Sequence, residues 1–320
     1  MTDGVAANGR VEGFDVIGDV HGMAGPLESL LSTMGYRDDN GVWRHPSRQA
    51  IFVGDLVDRG PEQVRTVAIV RAMVEAGAAL IVMGNHEFNS IAWATQRADG
   101  TYCREHTDKN RAQAQEFLAQ FKAGSAAHRD CIDWFRTLPM WLDLGDLRIV
   151  HACWHPESLT TLGSAEITED MITAHKGEPL YEAIEIVLKG PEAPLPDGIA
   201  FADPDGHQRD KARVRWWDLD AQNADLLEIP NGAKTPDGAP FALPEDFELD
   251  RSKVAMADAG APIFFGHYWR NVKHHPFEVA APLAACVDWS AVKGGPLVAY
   301  RWSGEAELDS ANLIGVPHDR

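Results

Sequence analysis

The sequence predicts an α/β fold built on a mainly parallel sheet, on three observations. Three short apolar runs, Phe14 to Ile17, Ala50 to Val53 and Leu80 to Met83, are rich in branched residues and broken only by Asp15. That is the pattern of strands buried on both faces. Each run leads into a glycine-flanked polar block: Gly18-Asp19-Val20-His21-Gly22, then Gly54-Asp55-Leu56-Val57-Asp58-Arg59-Gly60, then Gly84-Asn85-His86-Glu87. Between the blocks, Pro26 to Gly35 and Pro61 to Ala76 carry proline at their start and glycine at or just past their end, the signals of a helix entered and left. Strand, loop and helix repeated in this way predict right-handed crossovers. They also set the polar blocks at strand C-termini, where open α/β sheets bind ligands.

The remaining elements follow in order. Met1 to Gly13 is polar and glycine-rich, with no hydrophobic segment of the kind a secretory signal needs, and is expected to be a flexible tail over 1–13. Asp38 to Arg48 reads as a turn-rich connection. Residues 88–137 are expected to be mainly helical, with apolar spacing of three to four over Asp108 to Lys122 and Ala126 to Thr137. Trp141 to Leu144 and Leu147 to Val150 flank Gly145-Asp146, a two-residue hairpin turn, and the second strand delivers His151. Ile167 to His175 and Pro179 to Lys189 read as helices. The stretch 158–253, with loops rich in proline and glycine, is expected to be a surface insertion without an obvious core of its own. Strand patterns return at Pro262 to Phe265, Phe277 to Ala281, Leu283 to Val287 and Pro296 to Trp302. The organisation expected is one domain over 14–308 and a C-terminal tail over 309–320.

Composition excludes several classes. No stretch approaches the roughly 20 apolar residues of a membrane span, so no membrane partner is expected. The net charge of −19 opposes a nucleic-acid polymer, whose binding depends on Lys and Arg neutralising phosphates. A small phosphorylated substrate stays open, because a local metal charge can outweigh the global field. The four cysteines, Cys103, Cys131, Cys153 and Cys286, form no CxxC pair. They suit free thiols in a reducing cytoplasm better than a zinc knuckle or a disulfide framework.

The chemistry lies in the polar residues that end strands: Asp19, His21, Asp55, Asn85, His151 and His267. They are oxygen and nitrogen donors without thiolate, a set suited to Mn²⁺, Fe or Zn²⁺. Six donors exceed one tetrahedral site, and a metal pair sharing a bridging carboxylate fits the count better. Asp55, in the middle of the set, is the natural bridge. Asp19 and His21, two residues apart, can face one ion from a tight loop.

The three blocks resemble the GDxHG, GDxVDRG and GNHE signature of the metallophosphoesterases. The second and third are most similar to the Ser/Thr phosphoprotein phosphatase branch and its bacterial relatives, the symmetrical diadenosine tetraphosphatases and the phosphatase domain of polynucleotide kinase-phosphatase. Val150-His151-Ala152, Gly266-His267 and Val287-Asp288 match later elements in order, and the segment from Cys286 to Ala299 resembles the ending of the bacterial members. The resemblance covers roughly 14–151 and 262–302 and leaves the insertion unmatched. It implies the calcineurin-like fold, a β-sandwich flanked by helices. It implies a first metal held by Asp19, His21 and Asp55, and a second held by Asp55, Asn85, His151 and His267, with Mn²⁺ as the leading ion. Arg59 would bind substrate phosphate, His86 would protonate the leaving oxygen, and Asp58 would orient that imidazole. Metal-activated water would attack phosphorus with no covalent enzyme intermediate. A second phosphate-binding arginine would come from the insertion, where Arg213 and Arg215 are candidates and Arg215 the one chosen.

The chain departs from the family pattern at His151-Ala152-Cys153-Trp154-His155, which sets a Trp and a second His beside a metal ligand. His155, His274 and His275 are therefore rival ligands. The expected substrate is a phosphorylated Ser/Thr protein, with symmetrical hydrolysis of a dinucleoside polyphosphate such as diadenosine tetraphosphate, or hydrolysis of a nucleotide, as the alternative. A non-catalytic metal-binding scaffold is the reading from another class. Intact Asp58, Arg59 and His86 argue against it, because metal binding needs none of them.

Overall fold

Two β-sheets packed face to face carry the chain, each with helices on its outer side. The computed structural model describes residues 5–6, 9–202, 206, 208–221, 223–230, 232–244, 247–249 and 260–317. The last residues of the expected insertion, 250–253, lie outside them.

The first sheet begins with β1 (Gly13–Ile17), followed by α1 (Ala24–Met34). A hairpin of β2 (Arg37–Asp39) and β3 (Val42–Arg44) leads to β4 (Arg48–Phe52), α2 (Gln63–Glu75) and β5 (Ala79–Ile81). The expected connection over 38–48 is thus a short antiparallel hairpin. The expected helical segment contains α3 (Asn85–Ala94), α4 (Asp108–Gln113), α5 (Gln115–Phe121) and α6 (Ala126–Phe135). The helix read over 108–122 is broken at Ala114, whose φ of −92° and ψ of 7° leave the α region.

The second sheet starts with the hairpin β6 (Trp141–Asp143) and β7 (Arg148–Val150), paired antiparallel as expected. Then come α7 (Pro156–Leu162), α8 (Glu169–Thr173) and α9 (Pro179–Lys189). A small sheet of β8 (Glu192–Pro194), β9 (Lys211–Val214) and β10 (Leu227–Glu228) follows. Ala193, Ala212, Val214 and Leu227 of this sheet cluster with Leu195 and Phe201 outside it, so this stretch carries a small core that its loop-rich sequence did not announce. The chain returns through β11 (Ile263–Phe265), β12 (Ala284–Cys286), β13 (Leu297–Trp302) and β14 (Leu313–Val316).

Strand order is β14-β13-β1-β4-β5 in one sheet and β12-β11-β7-β6 in the other. β1, β4 and β5 run parallel, and so do β7, β11 and β12. Two expectations fail here. Phe277 to Ala281 is not a strand: it lies between Pro276 and Pro282, which lack the N–H a ladder needs, and its Phe277 packs on Trp289 at 4.8 Å. Leu313 to Val316, expected within a tail, instead forms the edge strand beside β13.

The period of two in the strands builds the layers. Val16, Ile51, Val53, Ile149, Phe264, Ala285 and Val298 meet between the sheets. Their neighbours Ile17, Ala50, Phe52 and Ile81 face α1 and α2 instead. On the far side, Val150, Ile263, Phe265 and Cys286 pack with Ala183, Val187, Trp216 and Trp217. Trp216 and Trp217 are therefore packing residues.

The charge in β1 is also accounted for. Asp15 is fully buried and accepts from Tyr36 Oη at 3.0 Å, Arg48 Nε at 2.8 Å and Arg301 Nε at 3.1 Å. Asp15→Ala would leave the largely enclosed Arg48 without a carboxylate partner, with the Phe14 and Trp302 carbonyls as its remaining enclosed acceptors. It is expected to cost about 3–5 kcal/mol, read as a lowered denaturant midpoint in equilibrium unfolding.

Candidate active site

The loops leaving β1, β4, β5, β7, β11 and β12 open at one edge of the sandwich, because all six strands point their C-termini there. Those loops carry Asp19 and His21, Asp55, Asn85, His151, His267 and Asp288, all at most 6% exposed. The structure therefore brings together every metal-ligand residue proposed from the sequence.

Glycines allow the close approach. A Cβ on Gly18 would lie 2.0 Å from the Val287 carbonyl oxygen, and one on Gly84 would lie 2.2 Å from Asp55 N. Gly18→Ala would force the two sheets apart at the site. A cost of about 3 kcal/mol in unfolding free energy is expected, and an unchanged denaturation midpoint would contradict this account. The non-glycine residues His21, Asp55, Asp58, Arg59 and His267 sit at positive φ of 45°, 51°, 67°, 70° and 66°. Backbone strain of this kind persists only where surrounding contacts hold it, and it concentrates at functional sites.

One such brace is Glu87. Its carboxylate accepts the N–H groups of Asp55 (2.8 Å), Leu56 (2.8 Å) and Gly84 (2.9 Å). It caps its own helix and also ties the second polar block to the third. Burial, with the Asp55 carboxylate nearby, pushes its pKa up to about 7.

Asp55 is the centre. Its Oδ2 lies 3.4 Å from His151 Nε2, 3.6 Å from His21 Nε2 and 3.8 Å from His86 Nε2. Among the described residues, two groups have ligand-capable atoms within 4.8 Å of one another: His21, Asp55 and His86, and Asp55, His151 and His267. Asp55 belongs to both. Burial alone would raise its carboxyl, but His151 and His86 outweigh that and hold it well below the usual range.

The donor set fits divalent cations. His21 Nδ1 faces the Val57 carbonyl at 2.8 Å and His151 Nδ1 faces that of Val53 at 2.7 Å. With Nδ1 donating, the His21 ring, whose pKa burial lowers, turns an Nε2 lone pair inward, and the His151 ring, whose pKa Asp55 raises against the effect of burial, would do the same once a cation displaced its Nε2 proton. His151 Nε2 then stands 3.1 Å from Asn85 Oδ1 and 3.4 Å from Asp55 Oδ2, an acceptor among acceptors that a cation would reconcile. Burial, reinforced by Arg59 at His21 and by Arg213 at His267, lowers both pKa values well below the ordinary histidine range and keeps the rings neutral. Asp19 Oδ1 and His267 Nε2 are buried without a hydrogen-bond partner. Burial and the neighbouring Asp288 and Asp55 carboxylates raise Asp19 well above its usual range. Crowded carboxylates of this kind are relieved by bound cations.

Beside this set stands a dyad. His86 Nδ1 is 2.5 Å from Asp58 Oδ2, and both residues are buried. Arg59 Nη1 lies 2.9 Å from His21 Nε2 and Nη2 lies 3.3 Å from His86 Nε2, so the guanidinium sits over the mouth of the site. Behind the dyad, Asp58 shares a small pocket with Asn89, Trp93, Arg104 and Gln113, all from the helical segment.

The rival residues go elsewhere. His155 caps α7 by accepting from Ser158 N at 3.3 Å, and His275 pairs with Glu228 at 3.4 Å. Arg215, the arginine chosen from the sequence, points to Asp218 (3.2 Å), Glu228 (3.8 Å) and the Asp225 carbonyl (3.3 Å). Its neighbour Arg213 instead reaches the His267 carbonyl at 3.4 Å. Arg213 is the third residue of β9, whereas Arg215 lies beyond the strand's end at Val214, so the period of two that would put both on one face does not reach Arg215. Sequence reasoning also left out Trp269, Ser290 and Lys293, which line a cleft with His21, Arg59 and Asp288. The run His267-Tyr268-Trp269, directly after a ligand, was the available signal.

Residues 14–228 match the family described as calcineurin-like phosphoesterases. The chain belongs to that family. Among similar phosphoesterases, the asymmetrical bis(5'-nucleosyl)-tetraphosphatase PrpE of Oceanobacillus iheyensis is 31% identical over 139 residues, 43% of this chain and 54% of that protein. The PrpE of Bacillus subtilis (strain 168) is 39% identical over 74 residues, 23% of this chain and 30% of that one. The chain thus spans about half or less of the length of the relatives it matches. A solved structure of a putative diadenosine tetraphosphatase is 18% identical, with a TM-score of 0.48 over 96% of this chain and 94% of that one. No helix among the described residues of this phosphoesterase is long and apolar enough to cross a membrane.

Proposed function

We propose that the chain is a two-metal phosphoester hydrolase whose substrates are dinucleoside polyphosphates or related nucleotides. The observation that carries the hydrolase reading is the His86–Asp58 pair at 2.5 Å, set against Asp55 and beneath Arg59. A cation site alone has no use for that pair. Asp19, His21 and Asp55 would hold one ion and Asp55, Asn85, His151 and His267 the other, with Mn²⁺ the leading choice. Such ions supply Lewis acidity, acidifying water and offsetting charge on the phosphoryl oxygens.

The protein's own groups do the rest. Arg59 presents a planar fork of donors that suits a phosphate bidentately. His86 Nε2 faces the same space and gives a proton to the leaving oxygen. Asp58 holds Nδ1 and so fixes which nitrogen carries that proton. The buried ring of ligands excludes bulk water from this exchange.

The substrate reading rests on the names of the relatives, which are tetraphosphatases, and it reverses the order expected from the sequence. Phosphorylated Ser/Thr protein is the second reading, supported by the Asp58-Arg59 and Glu87 matches. The four cysteines are free thiols, in keeping with a cytoplasmic location. Turnover of a generic aryl phosphate with added Mn²⁺ tests the chemistry. A panel of diadenosine tetraphosphate, a simple nucleotide and a phosphoserine peptide tests the substrate. Preference for the peptide would restore the protein phosphatase reading, and metal occupancy with no turnover on any phosphoester would favour a scaffold.

A further inference from the structure

Beside the phosphate-binding Arg59 lies a second cation that the proposed chemistry does not use. Lys293 Nζ stands 4.0 Å from the centroid of the Trp269 ring, and Arg59 Cζ stands 4.3 Å from the same centroid. One indole therefore joins the ammonium to the guanidinium, and all three line the cleft that opens beside His21. Lys293 is exposed at the lip, while Trp269 and Arg59 are partly buried. In a chain of net charge −19, two like charges brought to one ring at the mouth of a site form a local cationic patch.

The loops that carry this pair are held deliberately. Trp269 and Ser290 are in the left-handed region at φ 45° and 60°. Asp288 Oδ2 accepts Trp269 N–H at 3.1 Å and Asp288 Oδ1 accepts Ser290 N–H at 2.9 Å. Arg270 N–H donates to the Asp288 carbonyl at 3.0 Å, and Ser290 Oγ donates to the Arg270 carbonyl at 3.0 Å. Asp288 thereby locks the loop after His267 to the turn Ala291–Lys293. Both its carboxylate oxygens are engaged by N–H donors, while its charge also acts on Arg59 and Asp19 beside it.

We propose that Lys293 and Trp269 form a second anion subsite, which takes the phosphate next to the one held by Arg59. The ligand class is a phosphoanhydride chain, such as a nucleoside diphosphate or longer polyphosphate, and not an isolated phosphomonoester. The Trp269 ring holds the two cations near one another, and Asp288 is the positioning residue that fixes the loop geometry. The inference rests on the reading of the site as a phosphoester hydrolase and specifies which phosphoesters it takes.

The test is equilibrium binding of ADP and of AMP to the full chain with Mn²⁺, by titration calorimetry. ADP offers two adjacent phosphates and AMP one. The wild type is expected to bind ADP about tenfold more tightly than AMP, the effect of one charge-assisted contact. Lys293→Met should remove most of that preference, and Lys293→Arg should keep it. Trp269→Leu should weaken the preference, while Trp269→Phe, which preserves a ring for the ammonium, should retain most of it. The exposed Lys293 can be changed without disturbing the core, so misfolding does not blur the result. Equal preference in the wild type and Lys293→Met, or no preference in the wild type, overturns the subsite. Failure of the hydrolase reading shows separately, as absent turnover of an aryl phosphate by the wild type with the ADP preference intact.

Discussion

Asp55→Asn is expected to lose metal and turnover together. Asp55 is common to both ligand groups, and its Oδ2 is the atom nearest to three imidazole nitrogens. The amide is nearly the same size but carries no charge, and its NH₂ would face histidine nitrogens or a cation with a donor. Loss of a mere supporting residue around a metal costs about 10- to 100-fold in affinity or activity, so loss of the shared carboxylate should exceed about 100-fold in kcat/KM. Metal analysis of the purified variant should show less than half the wild-type content. Full metal-dependent turnover in Asp55→Asn would refute the assignment of the site. Asp55 Oδ1 also accepts His86 N–H at 2.9 Å, a contact that an asparagine carbonyl can keep, so the fold should survive.

His86→Asn should separate proton transfer from metal binding. His86 Nδ1 is spent on Asp58, and its Nε2 faces Arg59 and Asp55. Removing a positioned general acid costs about 10²- to 10⁴-fold in rate. The loss should be greatest for a poor leaving group, such as an alkoxide, and should shrink for a dinitrophenyl phosphate, whose oxygen needs little protonation. Metal content should stay close to that of the wild type. An equal loss on both leaving groups would show that His86 acts as a ligand, as its place within 4.8 Å of His21 and Asp55 would also permit. Asp58→Asn should give a smaller loss with the same dependence on leaving group, because the imidazole remains but its tautomer is no longer fixed.

These two residues show how unevenly the site could be read in advance. Asp55, Asn85 and His86 follow buried strands within glycine-flanked blocks, and the blocks alone placed them on one edge of a sheet. His151 and His267 were placed by strand patterns much further along the chain, and the second sheet was needed to bring them within reach of Asp55. Arg213 and not Arg215 reaches the His267 carbonyl because β9, paired with β8 and β10, ends at Val214 and leaves Arg215 beyond it, an end point that two arginines two residues apart do not signal. Leu313 to Val316 was read as tail because four residues containing a glycine carry no strand signal until β13 offers them hydrogen bonds. Phe277 to Ala281 was read as a strand because its composition outweighed the prolines that bound it.

Hydrophobic runs, glycine-flanked polar blocks and net charge are local or summed properties, so the sequence by itself determined the fold class, the family and the candidate residues for coordination and proton transfer. Tertiary structure decided what depends on contacts between distant segments. It made Asp55 the common member of two donor groups, engaged Glu87 across two loops, and turned Arg215 away. Through Asp288 it set Trp269 and Lys293 beside Arg59. Those outcomes rest on distances of a few ångströms between residues far apart in the chain, which no pattern along the sequence encodes.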